Sequence, residues 1–286
     1  MTSILQCPVC RTPLLLSADG YQCSKNHTFD AARQGYVNLL LVQKKHSKEP
    51  GDSPDMIRSR RRFLDLGLYN RVSDGVNEAV VLALPKPDKK SSSTILDAGC
   101  GEGFYLKRLK EFLLRGLGSR NPSDYYGVDI SKFAVRQATQ RDKTMNWFVA
   151  SINDLPFAAS SFDIVLNIFS PANSNEFSRI LKQTGSLVIV SPGPRHLNGL
   201  REIIYPIARE HAAPDIADQA RGLLALSTTT RVNYQVELKS RAEIMDLLAM
   251  TPYYWNIDLG TKSNVEALDQ LATDVDVEIR VFRKTS

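Results

Sequence analysis

A glycine-rich loop that follows an apolar segment is the feature that most restricts the fold of this chain. Residues 95–103 combine an apolar run with the motif Asp-x-Gly-x-Gly-x-Gly, and helical periodicity begins directly afterwards. Glycines at alternate positions let the backbone turn sharply and approach a ligand closely, because no side chain intervenes. The motif residues are Asp97, Gly99, Gly101 and Gly103. The loop therefore predicts a ligand site at the carboxyl end of a strand in an α/β sheet.

The chain alternates between strand-like and helix-like patterns around this loop. Apolar or alternating runs predict strands at 94–98, 125–129, 146–150, 163–169, 186–191, 230–238 and 275–283. Helical periodicity predicts helices at 54–66, 71–84, 104–117, 132–141, 175–182, 199–211 and 240–249. The first of these helices also has capping signals at Ser53, Pro54 and Gly67. This alternation is typical of a mostly parallel sheet with helices on both faces.

The glycine spacing favours S-adenosylmethionine over a dinucleotide as the ligand. The dinucleotide fingerprint Gly-x-Gly-x-x-Gly would need a glycine where the chain has Phe104. Asp129 ends the next strand, where a carboxylate can accept hydrogen bonds from both ribose hydroxyls. Asn153, Asp154 and Leu155 follow the third strand, where an amide or carboxylate can meet the adenine amino group. A doubly wound domain that binds another nucleotide, or none, is the competing interpretation.

The N-terminal region contains metal-type ligands with the spacing C-x2-C-x12-C-x3-H, namely Cys7, Cys10, Cys23 and His27. Such ligands suit tetrahedral zinc, and four protein ligands leave no position for an activated water. We therefore expect one structural zinc per chain, the alternative being four unrelated residues. His46 is a poorer fourth ligand because it lies in a charged segment. Cys100 stands alone in the glycine loop and is interpreted as a packing residue rather than a nucleophile.

Positive charge is concentrated at the front of the chain. Residues 1–62 contain ten Lys/Arg and five Asp/Glu, a difference that equals the net charge of +5 of the whole chain. A basic front predicts a polyanionic partner, although a solvated lysine-rich linker explains the charge equally well.

Composition also predicts the domain organisation. We expect a zinc-binding domain at 1–41, a polar linker at 42–53 and a cofactor-binding domain at 54–286, of which 54–93 form a helical lead-in. The sequence has no apolar run of eighteen residues and no signal-peptide pattern, so we expect a cytoplasmic protein without a membrane span. A homodimer is neither indicated nor excluded.

Over nearly its whole length the chain resembles the bacterial 23S ribosomal RNA guanine-N1 methyltransferases. The resemblance rests on the four zinc-type ligands, the glycine loop and the segments 51–53, 60–64, 67–69, 192–197 and 250–255. The glycine loop is shared by many methyltransferases. The combination of the zinc ligands with Pro-Gly-Pro-Arg-His, which ends at His196, is much more specific to this family.

The resemblance implies a class I methyltransferase fold, Rossmann-like, with a mostly parallel seven-stranded sheet preceded by a small zinc-binding domain that assists RNA recognition. It implies methylation of guanine N1 in a hairpin loop of domain II of 23S rRNA, which lines the peptide exit tunnel. It also implies cofactor contacts from Tyr69, Gly101, Glu102, Gly103 and His196.

An RNA substrate would be bound through basic side chains that contact phosphates and aromatic side chains that stack on bases. Candidates for phosphate contacts are Arg33, Lys44, Lys45, Arg58, Arg60, Arg61 and Arg62. The aromatic candidates for base stacking are Phe169, Tyr253, Tyr254 and Trp255, but aromatic residues near strand ends are more typical of a core. No residue is assigned as the acceptor of the guanine N1 proton.

Two other functions compete with rRNA methylation. A methyltransferase that acts on a small molecule or a protein is disfavoured by the basic zinc-type module. A non-catalytic RNA-binding protein with this fold is disfavoured by the intact glycine loop and Asp129, because a domain released from cofactor binding has no physical need for them.

Overall fold

The computed structural model describes residues 3–44, 47, 50–85, 92–117, 123–205 and 222–285. The N-terminal module contains a three-stranded antiparallel sheet of β1 (Leu14–Leu16), β2 (Gly20–Cys23) and β3 (Thr28–Asp30). A two-residue strand, β4 (Val37–Asn38), and a 3-10 turn at Val42–Lys44 follow. The predicted division into domains at residues 41 and 53 stays a prediction.

Two helices precede the main sheet, as predicted. Helix α1 (Pro54–Asp65) is capped by Ser53, whose hydroxyl accepts a hydrogen bond from the Met56 backbone N–H at 3.3 Å. Gly67, just beyond its end, has φ +80°, which favours glycine. Helix α2 (Asn70–Ala83) follows, and residues 86–91 of the predicted connector lie outside the described residues.

The main sheet alternates with further helices along the chain. Its strands are β5 (Ser93–Ala98), β6 (Ser123–Asp129), β7 (Asn146–Val149), β8 (Phe162–Ile168), β9 (Leu181–Pro192), β10 (Leu224–Leu238) and β11 (Leu271–Lys284). The helices are α3 (Phe104–Leu117), α4 (Lys132–Arg141), α5 (Ser174–Ile180), α6 (Asn198–Ile204), α7 (Arg241–Ala249) and α8 (Leu259–Glu266).

The described part of the chain forms an eight-stranded sheet in the order β10-β11-β9-β8-β5-β6-β7-β4. Pairs from β9 to β4 are parallel, whereas β11 pairs antiparallel with both β9 and β10. The expected α/β fold is confirmed, but with eight strands instead of seven. The additional strand is β4, in which Val37 pairs with Phe148, and two residues are too few to show a strand periodicity.

Several element boundaries differ from those predicted. β9 begins at Leu181, inside the predicted helix 175–182, and β10 begins at Leu224, before the predicted strand at 230. Helix α8 was not predicted, since only Val265 of its eight residues is buried and no apolar stripe results. Of the predicted helix 199–211, residues 206–211 lie outside the described residues.

The core consists of two apolar layers, one on each face of the sheet. Consecutive strand residues point to opposite faces, so Ile95 lies in one layer and Leu96 in the other. The second layer also contains Leu5 and Leu14, which means that the N-terminal module covers part of that face. No helix among the described residues is both long enough and apolar enough to cross a bilayer.

Candidate active site and zinc site

The glycine loop lies between β5 and α3, at the carboxyl end of the parallel strands. Gly99, Gly101 and Gly103 have φ values of +86°, +53° and +85°. A Cβ on Gly99 would fall 2.1 Å from the Ser170 hydroxyl oxygen, whereas one on Gly101 would meet only Arg60 Nη1, at 3.5 Å. The loop therefore packs tightly against the end of β8 and leaves an open face at Gly101.

Asp129 at the end of β6 fastens this loop. Its Oδ2 accepts a hydrogen bond from the Gly101 N–H at 2.9 Å, and its Oδ1 accepts one from the Ser131 N–H at 2.8 Å. Burial raises the pKa of Asp129, while these two backbone donors oppose the rise. Asp129 thus lies where the sequence predicts a ribose-binding carboxylate, beside the open face of the loop.

Asp97 presents a carboxylate oxygen that lacks a partner. Its side chain is 1% exposed, and Oδ1 has no hydrogen bond to a described residue. Burial, with the nearby charge of Asp129, raises the pKa of Asp97 to about 8. A buried carboxylate of this kind is stabilised by a cationic group. The ammonium of the methionine part of S-adenosylmethionine is such a group, so the donor set of the loop fits this cofactor.

The side chains of Cys100 and Glu102, the two non-glycine residues between Gly99 and Gly103, are buried. Glu102 is buried, and its carboxylate pairs with Arg141 of α4. The Glu102 carboxylate is thus engaged within the protein, and the predicted cofactor contact of this residue stays a prediction. Cys100 is buried in the core and burial raises the pKa of its thiol, in agreement with a packing role.

The segment after β7 is held by other parts of the protein. The Asp154 carboxylate pairs with Arg11 and with Lys44. Asn153 Oδ1 accepts a hydrogen bond from Asn173 Nδ2 at 3.2 Å, and Leu155 is fully buried. The Asp154 carboxylate is thus engaged with two cations, and the adenine contact predicted for 153–155 stays a prediction.

Tyr69, Phe169 and His196 form an aromatic cluster, and Phe169 directly precedes Ser170, which packs against Gly99 of the loop. Phe169 is stacked on the His196 ring, with centroids 5.7 Å apart. The Tyr69 hydroxyl lies 3.3 Å from His196 Nε2, and the Asp276 backbone N–H donates to Nδ1 at 3.3 Å. Because Nδ1 accepts, a neutral His196 carries its proton on Nε2 and donates it to Tyr69. Both ring nitrogens are therefore engaged, and neither is assigned as a proton acceptor.

Phe169 and Trp255 are not core residues, contrary to the expectation for aromatics near strand ends. Phe169 is 40% exposed and Trp255 is 60% exposed, whereas Tyr253 and Tyr254 are half-buried. β8 ends at Ile168, and Phe169 turns away from the sheet with φ +50°. The sequence predicts a strand over 163–169 and does not indicate that the chain leaves the sheet at Phe169.

Sequence reasoning missed several residues that shape the site. Asn167 Nδ2 donates to the carbonyls of Ala98 and Pro171, both at 3.0 Å, and so joins the ends of β5 and β8. Asp276 on β11 holds the segment before His196 by accepting from the Arg195 N–H at 2.9 Å. Arg231 binds the same carboxylate through two nitrogens and lowers its pKa. In the alternating run 275–283, Asp276 falls in the polar phase with Glu278 and Arg280, so the sequence carried no signal that its side chain is buried.

The four zinc-type ligands come together as predicted. Their ligand atoms all lie within 4.8 Å of one another, with Cys10 Sγ and Cys23 Sγ 3.7 Å apart. His27 Nδ1 is 3.3 Å from Cys23 Sγ and 3.5 Å from Cys7 Sγ. Tetrahedral zinc places sulfur and nitrogen ligands about 3.6–3.8 Å apart, so the cluster fits the ion. Thr12 lowers the pKa of the Cys10 thiol to about 7, toward the thiolate that binds metal. His46 lies outside the described residues.

Most of the basic RNA candidates have acidic or polar partners within the protein. Lys44 pairs with Asp154, Arg58 with Asp55, Arg60 with Asp52, and Arg62 with Asp246, while Arg61 donates to Gln137. Arg33 is exposed, and Lys45 lies outside the described residues. The basic front of the chain is therefore largely compensated on the described surface.

Comparison with known proteins places the chain in a family. A zinc-ribbon family model described as "RlmA, N-terminal" matches residues 5–48, and a model described as "Methyltransferase domain" matches residues 89–229. A 23S rRNA (guanine(748)-N(1))-methyltransferase of Streptomyces fradiae is 32% identical over 89% of this chain and 86% of its own length. YxjB of Bacillus subtilis strain 168, provisionally named a 23S rRNA (guanine-N1)-methyltransferase, is 32% identical over 99% of this chain and 98% of its own. The chain belongs to the 23S rRNA (guanine-N1)-methyltransferase family. A Micromonospora griseorubida relative with the same provisional name is 30% identical over 98% of this chain and 96% of its own.

As a member of this family, the protein is an S-adenosylmethionine-dependent rRNA methyltransferase. S-adenosylmethionine is its methyl donor, and the cluster of three cysteines and one histidine binds zinc. The competing interpretations as a small-molecule or protein methyltransferase, or as a non-catalytic protein, are set aside.

Proposed function

We propose that this enzyme methylates N1 of a guanine in a hairpin loop of domain II of 23S rRNA, near the peptide exit tunnel. The observation that carries the base-binding part of the proposal is Phe169, an exposed aromatic side chain beside the glycine loop. The name of the Streptomyces fradiae relative specifies guanine 748, which makes that nucleotide the first to examine. Since the substrate is ribosomal, we also propose a cytoplasmic location.

The position of Phe169 suits a stacking surface for an unpaired base. Phe169 directly precedes Ser170, which packs against Gly99 of the predicted cofactor loop. One face of the ring is covered by His196. A non-glycine residue at φ +50° is uncommon, and such conformations are concentrated at functional sites. Splayed-out bases in RNA loops are commonly stacked on aromatic side chains.

The cofactor contacts are proposed from the same geometry. Asp97 and the backbone of 99–103 would hold the methionine part, and Asp129 would bind the ribose hydroxyls. Asn153 and the backbone of 153–155 would bind adenine. Tyr69 and His196 would line the site from the side of Phe169.

The chemistry requires an exposed N1 on the target base. Guanine N1 carries a proton and lies in the Watson–Crick edge, so the base must be unpaired before it attacks a methyl group. The bound cofactor supplies that methyl group in an activated form. The N1–methyl bond would form as the methyl–sulfur bond breaks, S-adenosylhomocysteine would leave, and the N1 proton would pass to solvent. The protein contributes mainly by aligning N1 with the methyl carbon, which can lower the barrier by several kcal/mol.

Transfer of labelled methyl to undermethylated 23S rRNA tests this proposal. An N1 methyl blocks base pairing, so primer extension should stop at one guanine of the domain II hairpin. Phe169→Ala should lower kcat/KM for RNA at least about tenfold and leave binding of S-adenosylhomocysteine unchanged. Phe169→Tyr, which keeps the ring, is the matched control. A stop outside that hairpin would contradict the proposed target, and full activity of Phe169→Ala would contradict base stacking.

A further inference from the structure

The zinc site and the cofactor site are connected by side chains of the N-terminal module. Arg11 directly follows the zinc ligand Cys10, and its guanidinium pairs with Asp154 while also donating to the Leu155 carbonyl at 3.4 Å. Lys44 provides a second cation on the same carboxylate. The segment 153–155 is where the cofactor's adenine is expected, so both cations act on that part of the site.

Backbone hydrogen bonds extend this contact along the chain. The Gln6 N–H donates to the Pro156 carbonyl at 2.8 Å, and the Ala158 N–H donates to the Ile4 carbonyl at 2.8 Å. Leu5 forms an isolated antiparallel bridge with Phe157 between these two bonds. Leu5 and Phe157 are both buried in the same apolar layer. Residues 4–6 therefore lie beside residues 156–158 as a short antiparallel pair.

The zinc ligands determine the position of Arg11. Cys7 and Cys10 bracket a tight turn in which the Arg11 N–H donates to the Cys7 carbonyl at 2.9 Å, and the Cys7 N–H donates to the Thr12 carbonyl at 2.9 Å. Arg11 itself has φ +60°, a conformation that a non-glycine residue rarely adopts without support. Bound zinc holds both thiolates and thereby keeps this turn closed.

We infer that the zinc module is a structural part of the cofactor site, with Arg11 and Lys44 as positioning residues that order the adenine-side segment through Asp154. The inference rests on the proposed cofactor contacts. In this arrangement Asp154 does not bind adenine, because its carboxylate is already neutralised by two cations. Zinc and cofactor binding are consequently coupled, and linkage requires each ligand to strengthen the binding of the other by the same factor.

Binding of S-adenosylhomocysteine to the full chain, measured by calorimetry in the absence of RNA, tests the inference. The variant Arg11→Ala/Lys44→Ala should raise the Kd about three- to tenfold while one zinc per chain is retained, the size expected when partly exposed ion pairs that order a binding segment are lost. Asp154→Asn keeps the shape of the side chain and should give a similar rise. Lys25→Ala removes an exposed cation from the same module without touching 153–158 and should leave the Kd unchanged.

A second readout measures the coupling from the zinc side. Saturating S-adenosylhomocysteine should slow the removal of zinc by a chelator in the wild type, and this protection should disappear in Arg11→Ala/Lys44→Ala. Wild-type Kd values for both Arg11→Ala/Lys44→Ala and Asp154→Asn would overturn the inference. Asp129→Ala serves as the reference: if it also binds normally, the proposed cofactor contacts fail, whereas weak binding by Asp129→Ala alone refutes only the role of the zinc module.

Discussion

Two glycines of the cofactor loop should respond very differently to the same substitution. A Cβ on Gly99 would lie 2.1 Å from Ser170 Oγ and 2.6 Å from Ser170 Cβ, whereas a Cβ on Gly101 would have ordinary contact with Arg60. Both positions have left-handed backbones, in which a non-glycine residue costs about 1–2 kcal/mol. Overlap at Gly99 adds about 1–3 kcal/mol. Gly99→Ala should therefore lower the free energy of unfolding by about 2–5 kcal/mol, and Gly101→Ala by about 1–2 kcal/mol.

Urea unfolding followed by tryptophan fluorescence measures this difference, since Trp147 is buried in the core and reports on its loss. Ser170→Gly removes both atoms that a new methyl group would strike. The double variant Gly99→Ala/Ser170→Gly should then be about 1–3 kcal/mol more stable than the sum of the single effects predicts. Equal unfolding free energies for Gly99→Ala and Gly101→Ala, or additive effects in the double variant, would refute the reasoning.

Three other results are expected. The double variant Cys7→Ser/Cys10→Ser should lose zinc, and its N-terminal module should be less stable. If metal analysis still finds one zinc per chain, the proposed set of ligands is wrong. Because the pKa of Asp97 is raised to about 8, its protonated form stabilises the fold fully below pH 3.8, and this contribution is lost as pH rises through about 8. The unfolding free energy of the wild type, relative to Asp97→Asn, should accordingly fall over that window, and a constant difference would contradict the assignment. Asp129→Ala should weaken binding of S-adenosylhomocysteine at least about tenfold in calorimetry, because it removes a charged acceptor from the ribose hydroxyls, and unchanged affinity would place the ribose elsewhere.

The parts of the fold that sequence predicted are those determined by neighbours along the chain. The glycine loop, the cap at Ser53 and the spacing of the zinc ligands each depend on a few consecutive residues, and each appears in the structure as expected. The central strands were predicted for the same reason, since burial on both faces favours consecutive apolar residues such as Ile164, Val165 and Leu166 of β8.

The parts that sequence did not predict depend on contacts between distant segments. The Asp154 carboxylate follows the third predicted strand as a ligand would, yet its partners are Arg11 and Lys44, far away in sequence. Glu102 lies within the loop motif, yet its side chain turns to Arg141. Charge and motif position identify such residues as important, but only the packing of the helices and the N-terminal module determines which way each carboxylate points.

The pairing of β4 with β7 has a consequence for how the chain folds as it is made. Val37 pairs with Phe148, so the N-terminal module leaves the ribosome about 110 residues before the strand that receives it. At synthesis rates of about 5–20 residues per second, that delay lasts roughly 5–25 s. The zinc ligands are close together in sequence and can assemble during this interval, whereas Leu5 and Leu14 still lack the apolar layer that later covers them. We therefore expect zinc to bind first. The N-terminal module would then be stabilised by zinc before the main sheet, which covers Leu5 and Leu14, has been synthesised.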